Sequence, residues 1–126
     1  MKQTDEQAIK EAQELLDEIK AKRSGGIVEV HKKMANDPGL VKAYFQALEI
    51  CNLELKHIPR KYRELIAFAV GCAKNEPKII NAHGKMAIDN GATADEVGEV
   101  LRMIFMMCGT TGLLAGLDVF EPIDYE

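Results

Sequence analysis

Between Arg60 and Ala73 the chain reads RKYRELIAFAVGCA, entered through His57, Ile58 and Pro59. Leu65, Ile66, Phe68, Ala69, Val70 and Cys72 occupy nearly every side of a helix over this stretch, and a helix that is apolar all round has to lie inside a protein. It is therefore expected at the centre of the fold. Glu64 interrupts the apolar pattern near the helix start, and a buried carboxylate is costly unless it is paired.

Working toward the C-terminus, residues 77 to 90 place Ile79, Ile80, Met86 and Ala87 on one helical face, with Lys78, Asn81, Lys85 and Asp89 opposite. His83 falls on the apolar face. Asn90 and Gly91 predict a left-handed helix stop, and Thr93 with Glu96 has the spacing of a capping box for the next helix. That helix carries Val97, Val100, Leu101, Ile104, Phe105 and Cys108 at core spacing, and Met103, Met106 and Met107 widen the stripe toward burial on two sides. In the last helix Gly109, Gly112 and Gly116 alternate with small residues, which allows close approach of another backbone and suits an intersubunit contact.

Toward the N-terminus, Asp37 and Pro38 open a helix whose apolar face is read as Ala43, Tyr44, Ala47, Leu48 and Cys51. A shorter helix is expected from Ile27 to Ala35, ended by Asn36. Residues 5 to 23 form an amphipathic helix with Ala8, Ile9, Ala12, Leu15, Leu16 and Ile19 at helical spacing, broken by Ser24, Gly25 and Gly26. Residues 1–25 thus read as a helical arm, packed on the body or on a neighbouring subunit, and residues 26–126 as the helical domain. No segment alternates with period two over a strand's length, so the fold class is all-α. Six to seven helices in a compact orthogonal bundle are expected.

The 126 residues carry a net charge of −4 with acids and bases interspersed, which leaves no electrostatic footprint for nucleic acid. The sequence has no uninterrupted apolar run long enough to cross a bilayer and no apolar signal core at the N-terminus, so a cytoplasmic protein without a membrane partner is expected. Cys51, Cys72 and Cys108 are odd in number and scattered through apolar patterns, as buried reduced thiols are. His31, His57 and His83 make no metal-ligand spacing, and neither a metal nor a cofactor is expected.

Glu64 and His83 remain as the candidate catalytic residues. A carboxylate beside an imidazole fixes one tautomer and supports acid and base work by the ring. Each residue also has a plainer reading, Glu64 as a first-turn acid at the helix dipole and His83 as a satisfied core histidine. Whether they meet depends on the offset of the turn around residues 74 to 76.

Arg63 to Val70 (RELIAFAV), then Ala82-His83, then Asn90 to Val97 (NGATADEV) resemble the core of the carboxymuconolactone decarboxylase and alkyl hydroperoxidase D superfamily over residues 37 to 118. In the hydroperoxidase branch a Glu is followed by a CxxC at the start of the next helix and by a His four residues beyond the second Cys. Glu64 and His83 match the outer members. The two cysteine positions fall on Glu76 and Ile79, so thiol–disulfide chemistry there is excluded. The decarboxylase branch lacks the CxxC as well and keeps a His near an Asn-Gly stop, which this chain matches better.

That resemblance implies decarboxylation or opening of a small carboxylated lactone, with His83 as the acid that protonates the carbanion or enolate and Glu64 as its partner. It also implies a homotrimer or homohexamer acting on a small-molecule carboxylate. Arg60, Lys61 and Arg63 could face such a carboxylate but read as a solvated helix start, and they are not among the candidates. Two alternatives stay open: a hydroperoxidase-like antioxidant protein with altered or lost thiol chemistry, acting through Cys72 or Cys108, and a non-catalytic oligomeric interaction module.

Overall fold

A computed structural model describes residues 1–23 and 26–126, so the Ser24-Gly25 part of the expected helix break lies outside the described residues. Among the described residues there are six α-helices and no strand: α1 (Glu6–Lys22), α2 (Glu29–Met34), α3 (Pro38–Leu48), α4 (Arg60–Lys74), α5 (Pro77–Asp89) and α6 (Ala94–Gly116). A π-helical turn, Glu49–Leu53, extends α3, and a 3₁₀ turn, Leu117–Val119, follows α6. The all-α expectation holds. The chain divides into two compact units, Met1–Leu55 and Lys56–Glu126.

In the first unit α1 packs on α3 around Ile19, Val41 and Phe45. The Asp5 carboxylate accepts from the Ala8 N–H and the Asp37 carboxylate from the Gly39 N–H, so both helices begin at side-chain caps. The buried stripe of α3 is Val41 and Phe45, joined by Leu48, whereas Ala43, Tyr44, Ala47 and Cys51 are exposed. The expected face was therefore rotated. Both sides of α3 are apolar, and spacing alone does not say which of them meets Ile19 on α1. The short helix α2 begins two residues later than expected. His31 explains its start: the Val28 N–H donates to His31 Nδ1 at 3.2 Å while the His31 N–H donates to the Val28 carbonyl at 3.0 Å. This reciprocal pair does the work of a capping box with an imidazole in place of the usual carboxylate or amide.

In the second unit α4 and α5 form an antiparallel hairpin through a turn of only Asn75 and Glu76. Asn75 is left-handed at φ 51°, its N–H and that of Glu76 close onto the carbonyls of Cys72 and Gly71, and the Glu76 carboxylate then caps α5 at Lys78. A Cβ on Gly71 would stand 2.8 Å from Ile79 Cγ2 and 3.1 Å from the Ile80 nitrogen, and one on Gly84 would stand 3.3 Å from the Phe68 ring. The helices are pressed together at both points. The expected stop at Asn90-Gly91 and the Thr93–Glu96 capping box are present, with Gly91 at φ 93° and the reciprocal bonds at 2.9 and 3.1 Å.

The helix α6 is two arms. Gly109, at φ 74° and ψ −168°, has a backbone conformation essentially reserved for glycine. In a straight helix residues 101 and 116 would lie about 22 Å apart along the axis, yet a Cβ on Gly116 would stand 2.7 Å from Leu101 Cδ2 and one on Gly112 would stand 2.9 Å from Ile104 Cγ2. Residues 110–116 therefore return along residues 94–108. By length and apolar composition Ala94–Val119 is long enough to cross a membrane, but the fold-back leaves two arms, each shorter than the roughly 20 residues a crossing needs. Two glycines of the last helix are packed inside the chain. Gly112 and Gly116 seat against Ile104, Leu101, Cys72 and Phe68, whereas a Cβ on Gly109 would meet nothing within 4 Å.

Burial in this unit is one-sided. Leu65, Phe68, Cys72, Ile80, Ala87, Val97, Leu101 and Ile104 make the core, while Ile66, Val70, Met103, Phe105, Met106, Met107 and Cys108 are exposed. The α4 helix is thus not wrapped on all sides within the chain, nor is α6.

Two measurements test this packing. Gly116→Ala should cost about 1 to 3 kcal/mol by overpacking against Cys72 and Leu101, whereas Gly98→Ala, which meets nothing within 4 Å, should stabilise by about 0.5 to 1 kcal/mol; urea denaturation reads both. His31, 2% exposed, has its pKa pushed below the ordinary 6.5 by burial and, secondarily, by Arg23. The unfolded chain then takes up this proton first, so the contribution is complete above about pH 6.5 and is lost as pH falls below it. The urea midpoint should drop between about pH 7 and pH 5, and His31→Asn, which keeps an acceptor near Nδ1, should flatten that drop.

Candidate functional site

Glu64 stands in the first turns of α4, facing α5, and is 2% exposed. Both of its oxygens are engaged. Oε2 lies 2.6 Å from His83 Nδ1, and Oε1 accepts from Arg60 Nε at 3.2 Å. The sequence selected Glu64 and His83 without fixing their separation, and the short Asn75-Glu76 turn brings them together. The approach of α4 and α5 at Gly71 and Gly84 holds them there. His83 sits at the edge of the buried face of α5, between Ile80 and Ala87, with 24% of its side chain exposed. It is therefore neither a sealed core histidine nor a surface residue.

A carboxylate only accepts hydrogen bonds, so Nδ1 is the protonated nitrogen in this contact. Nε2 is left as the nitrogen that can exchange a proton with a ligand, and the carboxylate would stabilise the imidazolium formed when it does. Arg60 completes the group. Its Nη2 also lies 3.9 Å from Met86 Sδ, so the guanidinium reaches from α4 to α5 beside the pair. Lys61, the next residue of the basic run, is turned elsewhere and bonds Glu96 at the start of α6 at 2.8 Å. That bond raises the Lys61 pKa and lowers that of Glu96.

The opposite side of α4 carries a different feature. Tyr62, Ile66, Ala69, Val70 and Ala73 face Val100, Met103 and Met107 of α6 across a groove of about 500 Å³, with Cys108 at its wall. Neither Glu64 nor His83 lines it. The acid–base pair and the apolar groove thus sit on two faces of one helix.

The thiols are equally separated in kind. Cys72 is completely buried, its Sγ 2.7 Å from where a Gly116 Cβ would stand, and burial, followed by the nearby Cys108, pushes its pKa up. This is the reverse of a reactive thiol's surroundings. Cys51 and Cys108 are exposed, contrary to the expectation that all three cysteines are buried; the faces of α3 and α6 that carry them turn outward. At the positions where a CxxC would stand, Glu76 caps α5 and Ile79 fills the contact with Gly71. Among the described residues no three His, Cys, Asp or Glu side chains converge as a metal site.

The helical hairpin with its buried Glu–His pair, followed by the Asn-Gly stop, defines a class of small α-helical domains, and the comparison with known families is specific about which. Residues 38–122 match the carboxymuconolactone decarboxylase family, and the chain belongs to it. No significant match to a curated protein or to a solved structure is found.

Sequence reasoning missed Arg60 as a partner of Glu64. The signal was available in their i, i+4 spacing on a helix. The cysteine assignments give a direct check: in the native protein iodoacetamide should modify Cys51 and leave Cys72 intact until denaturant is added, as read by peptide mass.

Proposed function

We propose that the protein is an acid–base enzyme that decarboxylates or opens a small carboxylated lactone, with His83 as the proton-transferring residue and Glu64 as its orienting partner. One observation carries this reading: the 2.6 Å contact between Glu64 and a partly exposed His83. A pair placed only to fill the interior would have no need of a partly exposed imidazole.

In decarboxylation the bond to the departing carbon dioxide breaks, and its electron pair remains on carbon as a carbanion or enolate. The imidazolium of His83 delivers the Nε2 proton to that carbon, leaving the neutral ring with Nδ1–H still on Glu64. Protonation of the ring from solvent restores the acid. Throughout the cycle Nδ1–H points to the carboxylate, so Glu64 supports the charged ring and excludes the other tautomer. In lactone opening the same Nε2 would act first as base toward water and then as acid toward the leaving alkoxide. The family membership supports this chemistry as a class, and the missing CxxC weighs against the dithiol route.

A second reading has its own observation. The open groove of α4 and α6, rich in Met and aliphatic side chains, suits an oligomeric interaction module, and we include a homotrimer or homohexamer in the proposal because exposed apolar patches mark association sites. Sedimentation as a single chain would remove that part.

Carbon dioxide release from carboxymuconolactone separates the two readings. His83→Gln should lower kcat by about 10²- to 10⁴-fold, and Glu64→Gln by about tenfold or more, the amide being unable to support the imidazolium. Unchanged turnover in His83→Gln with a lowered melting temperature would instead establish the pair as structural.

A further inference from the structure

We infer that Arg60 is a positioning residue for His83, acting through Glu64. This rests on the acid–base reading above, but its main readout needs no turnover. The Glu64 carboxylate is held at both ends, by Arg60 Nε on Oε1 at 3.2 Å and by His83 Nδ1 on Oε2 at 2.6 Å. Rotation of the carboxylate that carries Oε2 off the imidazole must also break the guanidinium contact. Arg60 thereby restricts the plane of the group that selects the tautomer of His83.

The order of the residues argues against a role in helix stability alone. An exposed i, i+4 ion pair contributes little, and the base-first order found here, Arg60 before Glu64, is the weaker of the two. The pair acquires weight because Glu64 is buried. A buried carboxylate needs a cation and filled hydrogen-bonding positions if it is to remain charged, and in this site the positive charge comes from α4 itself, one turn before the acid. The contact of Arg60 Nη2 with Met86 Sδ, at 3.9 Å, puts the guanidinium beside the helical turn that follows His83. Arginine suits this place better than lysine, because its planar fork can address the carboxylate through Nε while another nitrogen reaches across to α5.

The alternative is that Arg60 merely clamps α4 to α5, and the two roles separate by measurement. Two-bond ¹H–¹⁵N spectra of the histidine rings, with the His83 signals assigned by their loss in His83→Gln, report which ring nitrogen is protonated. The native protein should show His83 as the Nδ1–H tautomer. In Arg60→Met the Nε2–H form should appear beside it, and kcat should fall about tenfold with KM unchanged, as expected for a lost orienting contact. Arg60→Lys should restore part of both, since it keeps the charge and loses the fork. Native tautomer populations in Arg60→Met overturn the inference, whatever happens to the melting temperature. A change in KM alone also overturns it, because Arg60 would then be holding substrate. Should Arg60→Met fail to fold, the lysine variant carries the same tautomer test. Failure of the enzymatic reading is recognised separately, by undiminished turnover in His83→Gln.

Discussion

A carboxylate sealed between two helices is the constraint to which the second unit answers. Glu64 is 2% exposed, and removing one partner of such a buried charged group typically costs about 3 to 5 kcal/mol. Its surroundings therefore have to supply partners on both oxygens. They come from opposite directions, Arg60 along the same helix and His83 across from α5. The second partner exists only if the hairpin turn has the right length, so the two-residue link at Asn75-Glu76 and the close approaches at Gly71 and Gly84 belong to the site as much as the charged groups do. A wider interhelical spacing would separate the imidazole from its carboxylate.

The same hairpin accounts for the chain's distance from the dithiol branch of its superfamily. Glu76 and Ile79 occupy the positions where thiols would stand, and each has a structural task, one as a helix cap and the other as the filling beside Gly71. The remaining thiols offer no pair on that face. Cys72 is buried among Phe68, Leu101 and Gly116, and Cys108 lies at the groove on the far side of α4.

Much of the architecture was legible because it is written in local chemistry. The caps at Asp37 and Thr93 and the stop at Asn90-Gly91 follow from residue types at short spacing, and the structure contains each of them. Distance and facing were not legible in the same way. The buried stripe of α3 was misplaced because that helix has two apolar sides, and α4 and α6 proved to be half covered although their composition resembles that of fully buried helices. Gly112 and Gly116 were read as permitting close approach, and within the chain they meet α4 and the preceding arm of the same helix. A positive φ at one residue decides that, and hydrophobic periodicity carries no information about it. Arg60 was passed over because charge runs at helix starts are usually solvated; its importance derives from the burial of its neighbour, which is a tertiary property.

Between Arg102 and Asp118 the sequence contains no charged residue, and in the folded chain Gly109 doubles this stretch back on itself. Once unfolded, it becomes a long, sticky, uncharged thread with nothing to repel its copies. Where such a thread clumps faster than it refolds, durability in a warm solution becomes a matter of rates and not of equilibrium.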